Sequence, residues 1–294
     1  MFEPHEYELL DFGAGRKLER FGSEVLDRPS PAAASIDRAD PELWGSASAR
    51  FEVARGGAGQ WSQVDPSMPQ PSDSTWSVRH GGSRLLLKQS ASGNVGLFPE
   101  QASNWDWIAD RVSGSKADSR RPRVLNLFAY TGAASLAAAA AGAEVTHVDS
   151  SGPTVAWAKK NADASAMGDL PIRWLVEDAI KFAAREVRRG NVYDGIIADP
   201  PTYGHGPKGR AFKFDQHVGE LLQLCGELLN HEDHPDRFLL FSCHAPGFGP
   251  DDAVSLLADV LPDSAGSGVT GRPLSLQSAD GRELSAGVSA RWSS

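Results

Sequence analysis

From about Asn104 onward the apolar positions alternate between two periods. Short, nearly continuous apolar runs ("RVLNLF", "AEVTHVD", "IRWLVED", "YDGIIADPP", "RFLLFSCH") read as buried strands. Between them lie stretches with helical spacing: "AASLAAAAAG", "GPTVAWAKKNADASAM", "AIKFAAREVRRG", "KFDQHVGELLQLCGELLN" and "DDAVSLLADVL". In the fourth of these, Phe214, Val218, Leu221, Leu222, Cys225, Leu228 and Leu229 share one face. Gly142 and Gly190 stand where helices should stop, and Pro153 where one should begin. An amphipathic helix, "NWDWIADRV", precedes the series. A hairpin around Asp280-Gly281 closes it.

Residues before this point behave differently. "YELLDFGAGRKLERFG", "RFEVARG", "QWSQV", "TWSVRH" and "RLLLKQS" alternate short apolar pieces with turn residues and show no helical period. "DPSMPQPSDS" is a Pro/Ser loop without core-forming residues. The reading is a β-rich N-terminal subdomain over residues 1–103 and an α/β domain over 104–294. Alternating βα units predict a mostly parallel sheet covered by helices, with one antiparallel edge strand from the terminal hairpin.

Composition narrows the class. Of the 294 residues, 40% are hydrophobic and 23% charged, an ordinary globular balance. No apolar run is long enough to span a bilayer, and the opening "MFEPHEYELLDFG" lacks a basic n-region, so neither a membrane nor a secretory signal is expected. Two cysteines make no disulfide framework, and a cytoplasmic location is expected. A net charge of −9 argues against wholesale nonspecific nucleic-acid binding, although local basic clusters occur. The eight histidines show no spacing that suggests a metal site.

The chemistry gathers at the strand ends. Ligands of such sheets bind outside the carboxyl ends of the strands, near the switch in strand order. The loop "FAYTG" after the first strand lacks the spaced glycines that let a backbone press against pyrophosphate. Asp149 ends the second strand, where a carboxylate accepts hydrogen bonds from ribose hydroxyls. Asp178 ends the third, placed for an adenine amino group or, alternatively, as the N-cap of the next helix. "ADPP" puts Asp199, Pro200 and Pro201 at the end of the fourth. Adenosine without pyrophosphate points to S-adenosylmethionine.

"LNLFAYTGAASLAAAAAGAEVTHVDSS", "VEDA", "DPPTYGHGPKG" and "FSC" together resemble class I S-adenosylmethionine-dependent methyltransferases, in particular the large-subunit ribosomal RNA cytosine-C5 enzymes. "YELLDFGAGRKLERFG" and "VGLFPEQASNW" extend the resemblance over most of the chain. It implies a Rossmann-like methyltransferase sheet, with cofactor contacts at Phe128, Tyr130, Thr131, Gly132, Asp149, Ser150, Asp178, Ala179 and Asp199, and cover from Phe98 and Gln101. Pro200, Pro201, Thr202 and Tyr203 read as a substrate-side platform, and the Gly-rich basic loop Gly204–Lys213 as a mobile phosphate-binding loop, or else a solvated one, in which Lys208, Arg210 and Lys213 would hold backbone phosphates; the resemblance implies RNA, ribosomal in origin, as partner. Cys243 would be the nucleophile that makes cytosine C5 reactive, which requires an accessible thiol of lowered pKa. His244, next in sequence, could lower that pKa. The competing reading is a buried strand-end cysteine. Three further alternatives stay open at this level: methylation of a base nitrogen, a small-molecule acceptor, and a non-catalytic methyltransferase-like module. Oligomeric state is not legible.

Overall fold

A computed structural model of the chain describes residues 2–53, 59–64, 76–115, 120–205, 211–229, 236–261 and 268–294, with only the backbone of His205. The chain divides into two compact units, Met1–Ala102 with Ser275–Ala286, and Ser103–Leu274 with Gly287–Ser294.

The first unit is built on strands β1 (Tyr7–Gly13), β2 (Arg16–Phe21), β3 (Glu24–Pro29), β4 (Ala49–Val53) and β5 (Gly59–Gln63), in that order in one sheet. Strands β6 (Trp76–His80) and β7 (Ser83–Leu87) form a separate antiparallel pair. All neighbours in the larger sheet are antiparallel except β3 and β4. β3, "EVLDRP", goes unrecognised in sequence because its acidic and basic residues break the apolar pattern. Those charges are paired inside the unit: Arg28 meets buried Glu19 at 2.5 Å, and buried Asp27 takes both Arg16 and Arg50.

Residues 275–286, read from sequence as part of the α/β domain, belong to this first unit. The physical reason is Asp11. Its carboxylate accepts from the Trp44 indole at 2.7 Å and from Arg282 at 2.5 Å, while Leu9 bridges Ser278. Burial alone would raise the Asp11 carboxyl. The Trp44 and Arg282 hydrogen bonds, with backbone N–H groups of Ala39 and Asp40, outweigh burial and hold it below the usual carboxylate range.

Helix α1 (Ala102–Ser113), all but its first residue, belongs to the second unit. Strand β8 (Arg123–Leu127) leads to α2 (Ala133–Ala140), β9 (Glu144–Asp149) to α3 (Gly152–Ala164), and β10 (Ile172–Val176) to α4 (Ala179–Arg188). After β11 (Gly195–Ala198) comes a small hairpin, β12 (Tyr203–His205) and β13 (Ala211–Lys213), then α5 (Phe214–Leu229). β14 (Phe238–Cys243), α6 (Pro250–Ala258), β15 (Thr270–Gln277) and β16 (Glu283–Ser293) complete the chain.

The main sheet has the order β10-β9-β8-β11-β14-β16-β15. β8 to β11 and β14 are parallel, and β16 runs antiparallel to β14. The mostly parallel sheet expected from the βα alternation is thus present. Its antiparallel strand lies one place inside the edge, with β15 outermost. Alternate side chains of β8 feed two cores. Val124 packs with Ile108, Ala138 and Val145 on one face, and Leu125 and Leu127 pack with Phe182, Leu221 and Leu257 on the other. The α5 face read from sequence is buried residue for residue, with Gly226 added to it. Going outward from β8, the strands run through β9 one way and β11 the other. The switch in strand order therefore brings the ends of β8, β9 and β11 together.

Candidate functional site

The loop Phe128–Gly132 joins β8 to α2 and is locally strained. Phe128 and Tyr130 have φ values of 56° and 50°, the left-handed region that side chains disfavour, and Gly132 has 89°. Gly132 is needed for a second reason: a Cβ there would stand 3.0 Å from the Cβ of Ala158. The loop is held by its neighbours. Tyr130 N–H donates to Asp149 Oδ2 at 2.9 Å, Ala129 N–H to the Val148 carbonyl at 3.0 Å, and Asn161 Nδ2 to the Thr131 carbonyl at 2.9 Å. Ser151 N–H donates to Asp149 Oδ1 at 2.8 Å. Each Asp149 oxygen thus has one backbone donor and retains acceptor capacity. Burial raises its carboxyl above the usual range, and the Ser151 and Tyr130 N–H groups offset part of that.

Beneath the loop runs a buried polar row. Asn126 Nδ2 donates to Ser135 Oγ at 2.9 Å, and Ser135 Oγ lies 2.9 Å from His147 Nδ1. His147 Nε2 is buried without a hydrogen-bond partner, and burial pushes the imidazole down to about 3. The unfolded chain binds a proton at this histidine near pH 6.5, whereas the folded state resists until about pH 3, so stability falls as pH falls between these values. Wild type is expected to lose ~1 kcal/mol more than His147→Gln between pH 7.0 and 5.5 in urea titrations followed by circular dichroism. Equal losses in the two proteins would show that His147 titrates normally.

The ends of β9, β10 and β11 face one cleft. It is lined by Phe128, Asp149, Ser150, Asp178, Ala179 and Pro201, all read as site residues from the sequence, by Ile180, which was not, and by Gly204 and Phe212, expected only as part of a substrate-side loop. Asp178 is the N-cap of α4, with Oδ1 accepting from Lys181 N–H at 3.0 Å; capping and cleft lining coexist. The turn before it is fixed by Arg185, which grips Glu177 at 2.5 and 2.6 Å. Phe212 comes from β13, and its ring meets Phe128 edge-on at 5.1 Å. The sequence carried a weak signal for it: an aromatic inside an otherwise basic loop, "GRAFK". A larger groove between α5 and α6 includes none of the strand-end residues.

Asp199, Pro200 and Pro201 follow β11, with Thr202 and Tyr203 exposed beside them. Asp199 Oδ1 accepts from the buried Ser242 hydroxyl at 2.7 Å, which joins the ends of β11 and β14. Phe98 and Gln101 lie in the first unit, on and beside the short helical turn Pro99–Gln101, where Gln101 is buried. Lys208 lies outside the described residues. Among the described residues no group of three or more His, Cys, Asp or Glu side chains gathers to hold a metal. No described helix is long and apolar enough to cross a membrane.

Cys243 is the last residue of β14. A nucleophile needs an accessible thiol of lowered pKa, but Cys243 is only 1% exposed and packs in the core against β11 and α6. Burial pushes its thiol up to about 11; the Ala245 N–H offsets part of this, and the charge of Asp199 adds a smaller rise. Cys225, on the buried face of α5, is raised to about 12 by burial and is core, as read.

The family description "S-adenosylmethionine-dependent methyltransferase" matches residues 44–265. A solved SAM-dependent methyltransferase from Agrobacterium tumefaciens has a TM-score of 0.86 and 34% identity, covering 98% of this chain and 90% of that one. The structure of SMU.776, a methyltransferase complexed with SAH, has a TM-score of 0.70 at 18% identity over 98% of this chain and 75% of its own, and shares the fold. Ribosomal RNA large subunit methyltransferase K/L of Alcanivorax borkumensis is 32% identical over 188 residues, 60% of this chain. The chain matches only 23% of that protein's length.

Proposed function

Because the chain belongs to the S-adenosylmethionine-dependent methyltransferases, we propose that it methylates a base in ribosomal RNA. The observation that carries the cofactor half is Asp149, anchored by two backbone donors at the tip of β9 beneath a bulky left-handed loop. The residues fit S-adenosylmethionine. Asp149 would take the ribose hydroxyls and Asp178 the adenine amino group. Phe128, Ile180 and Phe212 would wall the purine. The loop's side chains leave less reason for a pyrophosphate, and no P-loop spacing occurs. When bound, this cofactor supplies a methyl group already activated by its sulfonium.

The protein's own task is then positioning and exclusion of water. Pro200 and Pro201 stiffen the platform after β11. Asp199, fixed by Ser242, presents a carboxylate where an acceptor's N–H would be oriented and its proton received. The acceptor reading rests on relatives named ribosomal RNA large subunit methyltransferases and on Tyr203, an exposed aromatic suited to stacking on a base. An acceptor of this kind implies work in the cytoplasm. Isothermal titration with S-adenosylmethionine, followed by tritium transfer to ribosomal RNA and mass spectrometry of its nucleosides, tests both halves. Transfer to small molecules but not to RNA would overturn the acceptor.

The burial of Cys243 favours direct transfer to a base nitrogen over the thiol-dependent route to cytosine C5. Cys243→Ser is expected to keep kcat within about threefold of wild type and to form no covalent RNA adduct on denaturing gels. A loss above about a hundredfold, with an adduct trapped on the wild-type enzyme, would restore the nucleophile.

A further inference from the structure

The β12–β13 hairpin has two chemically different faces. Gly204 pairs with Phe212, and Tyr203 pairs with Lys213. Residues directly opposite in an antiparallel pair point the same way, and successive residues point to opposite sides. Gly204 and Phe212 both line the cleft that holds Asp149 and Asp178. The Tyr203 and Lys213 positions therefore face away from it, and both are exposed, Tyr203 at 55%. An exposed aromatic beside a cation is the pairing that stacks a base and meets a backbone phosphate.

The hairpin is also pinned at several points. Phe212 packs edge-on against Phe128 of the strained loop and also meets the His217 ring at 5.5 Å. Lys213 N–H donates to His217 Nδ1 at 3.0 Å. The turn into the hairpin is tight: a Cβ on Gly204 would come within 2.9 Å of Pro201 Cγ. A ligand that presses on Phe212 therefore acts on the strand pair that carries Tyr203 and Lys213.

We propose that this hairpin couples the two ligands: Phe212 forms a wall of the cofactor cleft, Tyr203 and Lys213 on its reverse face take the acceptor base and a phosphate, and filling either face strengthens binding at the other. The inference rests on the reading of RNA as acceptor. Coupling of this kind is reciprocal, so the same factor must appear in both titrations.

The test uses the full chain, S-adenosylhomocysteine as unreactive cofactor probe, and transcribed large-subunit ribosomal RNA in filter-binding assays. In wild type, saturating S-adenosylhomocysteine is expected to tighten RNA binding about fivefold. Phe212→Ala is expected to weaken S-adenosylhomocysteine about tenfold and to erase the fivefold gain. Tyr203→Ala is expected to weaken RNA about tenfold while leaving S-adenosylhomocysteine affinity within twofold. Thermal melts followed by circular dichroism check that both variants fold, and Phe212→Leu should restore part of the coupling. RNA binding in wild type without a cofactor effect overturns the coupling alone. Coupling that survives Phe212→Ala does the same. Absence of RNA binding in wild type overturns the acceptor reading and this proposal with it, while tight S-adenosylhomocysteine binding would still stand.

Discussion

Asp149→Ala is expected to weaken S-adenosylmethionine binding by about a hundredfold to a thousandfold in isothermal titration, while the far-ultraviolet circular dichroism stays native. The size follows from what the carboxylate does. Hydrogen bonds to a charged group contribute about 1.5–3 kcal/mol each, and two ribose hydroxyls would be lost together. The variant also releases the N–H groups of Tyr130 and Ser151, which hold the loop and the turn after β9. Phe128 and Tyr130 sit in left-handed conformations that cost about 1–3 kcal/mol apiece and persist only when their surroundings enforce them. Asp149→Asn keeps an acceptor oxygen and should fall between the variant and wild type. The pH dependence has a definite sign. The Asp149 carboxyl is raised by burial, so cofactor affinity should decline on acidification at a pH above that of an ordinary aspartate. Equal affinities of Asp149→Ala and wild type would remove the cofactor site from this cleft.

Asp199→Asn should lower kcat about a hundredfold or more with S-adenosylmethionine affinity changed less than threefold. The substitution preserves shape and the bond from the Ser242 hydroxyl, and it removes only the charge and the proton-accepting oxygen. A matching loss in cofactor affinity would make Asp199 a cofactor ligand instead of a proton acceptor. Unchanged turnover would remove it from the chemistry altogether. The neighbouring prolines make the comparison clean, since they fix the backbone independently of the side chain.

The outcome at two positions shows how residues of equal promise in sequence can part. Asp178 and Cys243 both end a strand at the active edge. For Asp178 the two readings, helix cap and cleft residue, are satisfied together, because a carboxylate has an oxygen for each task. For Cys243 the two readings make opposite demands: a nucleophile needs exposure, whereas the thiol is buried at the end of β14, where burial raises its pKa. Nothing within a few residues of "FSCH" states how deeply the end of β14 is covered.

The order of βα units, the buried face of α5, the N-cap role open to Asp178 and the placement of Asp149 at a strand tip all come from the sequence itself. Each depends on neighbours within one or two turns of chain, so local period and chemistry suffice. The tertiary structure alone decided that β16 lies inside the edge of the sheet, that residues 275–286 join the first unit, that Phe212 lines one cleft with Asp149 and Asp178, and that Cys243 is buried. Those four depend on partners far along the chain, such as Asp11 for Arg282, or Phe128 for Phe212. Burial and pairing at such distances are properties of the packed whole, and no local pattern of apolar and polar residues encodes them.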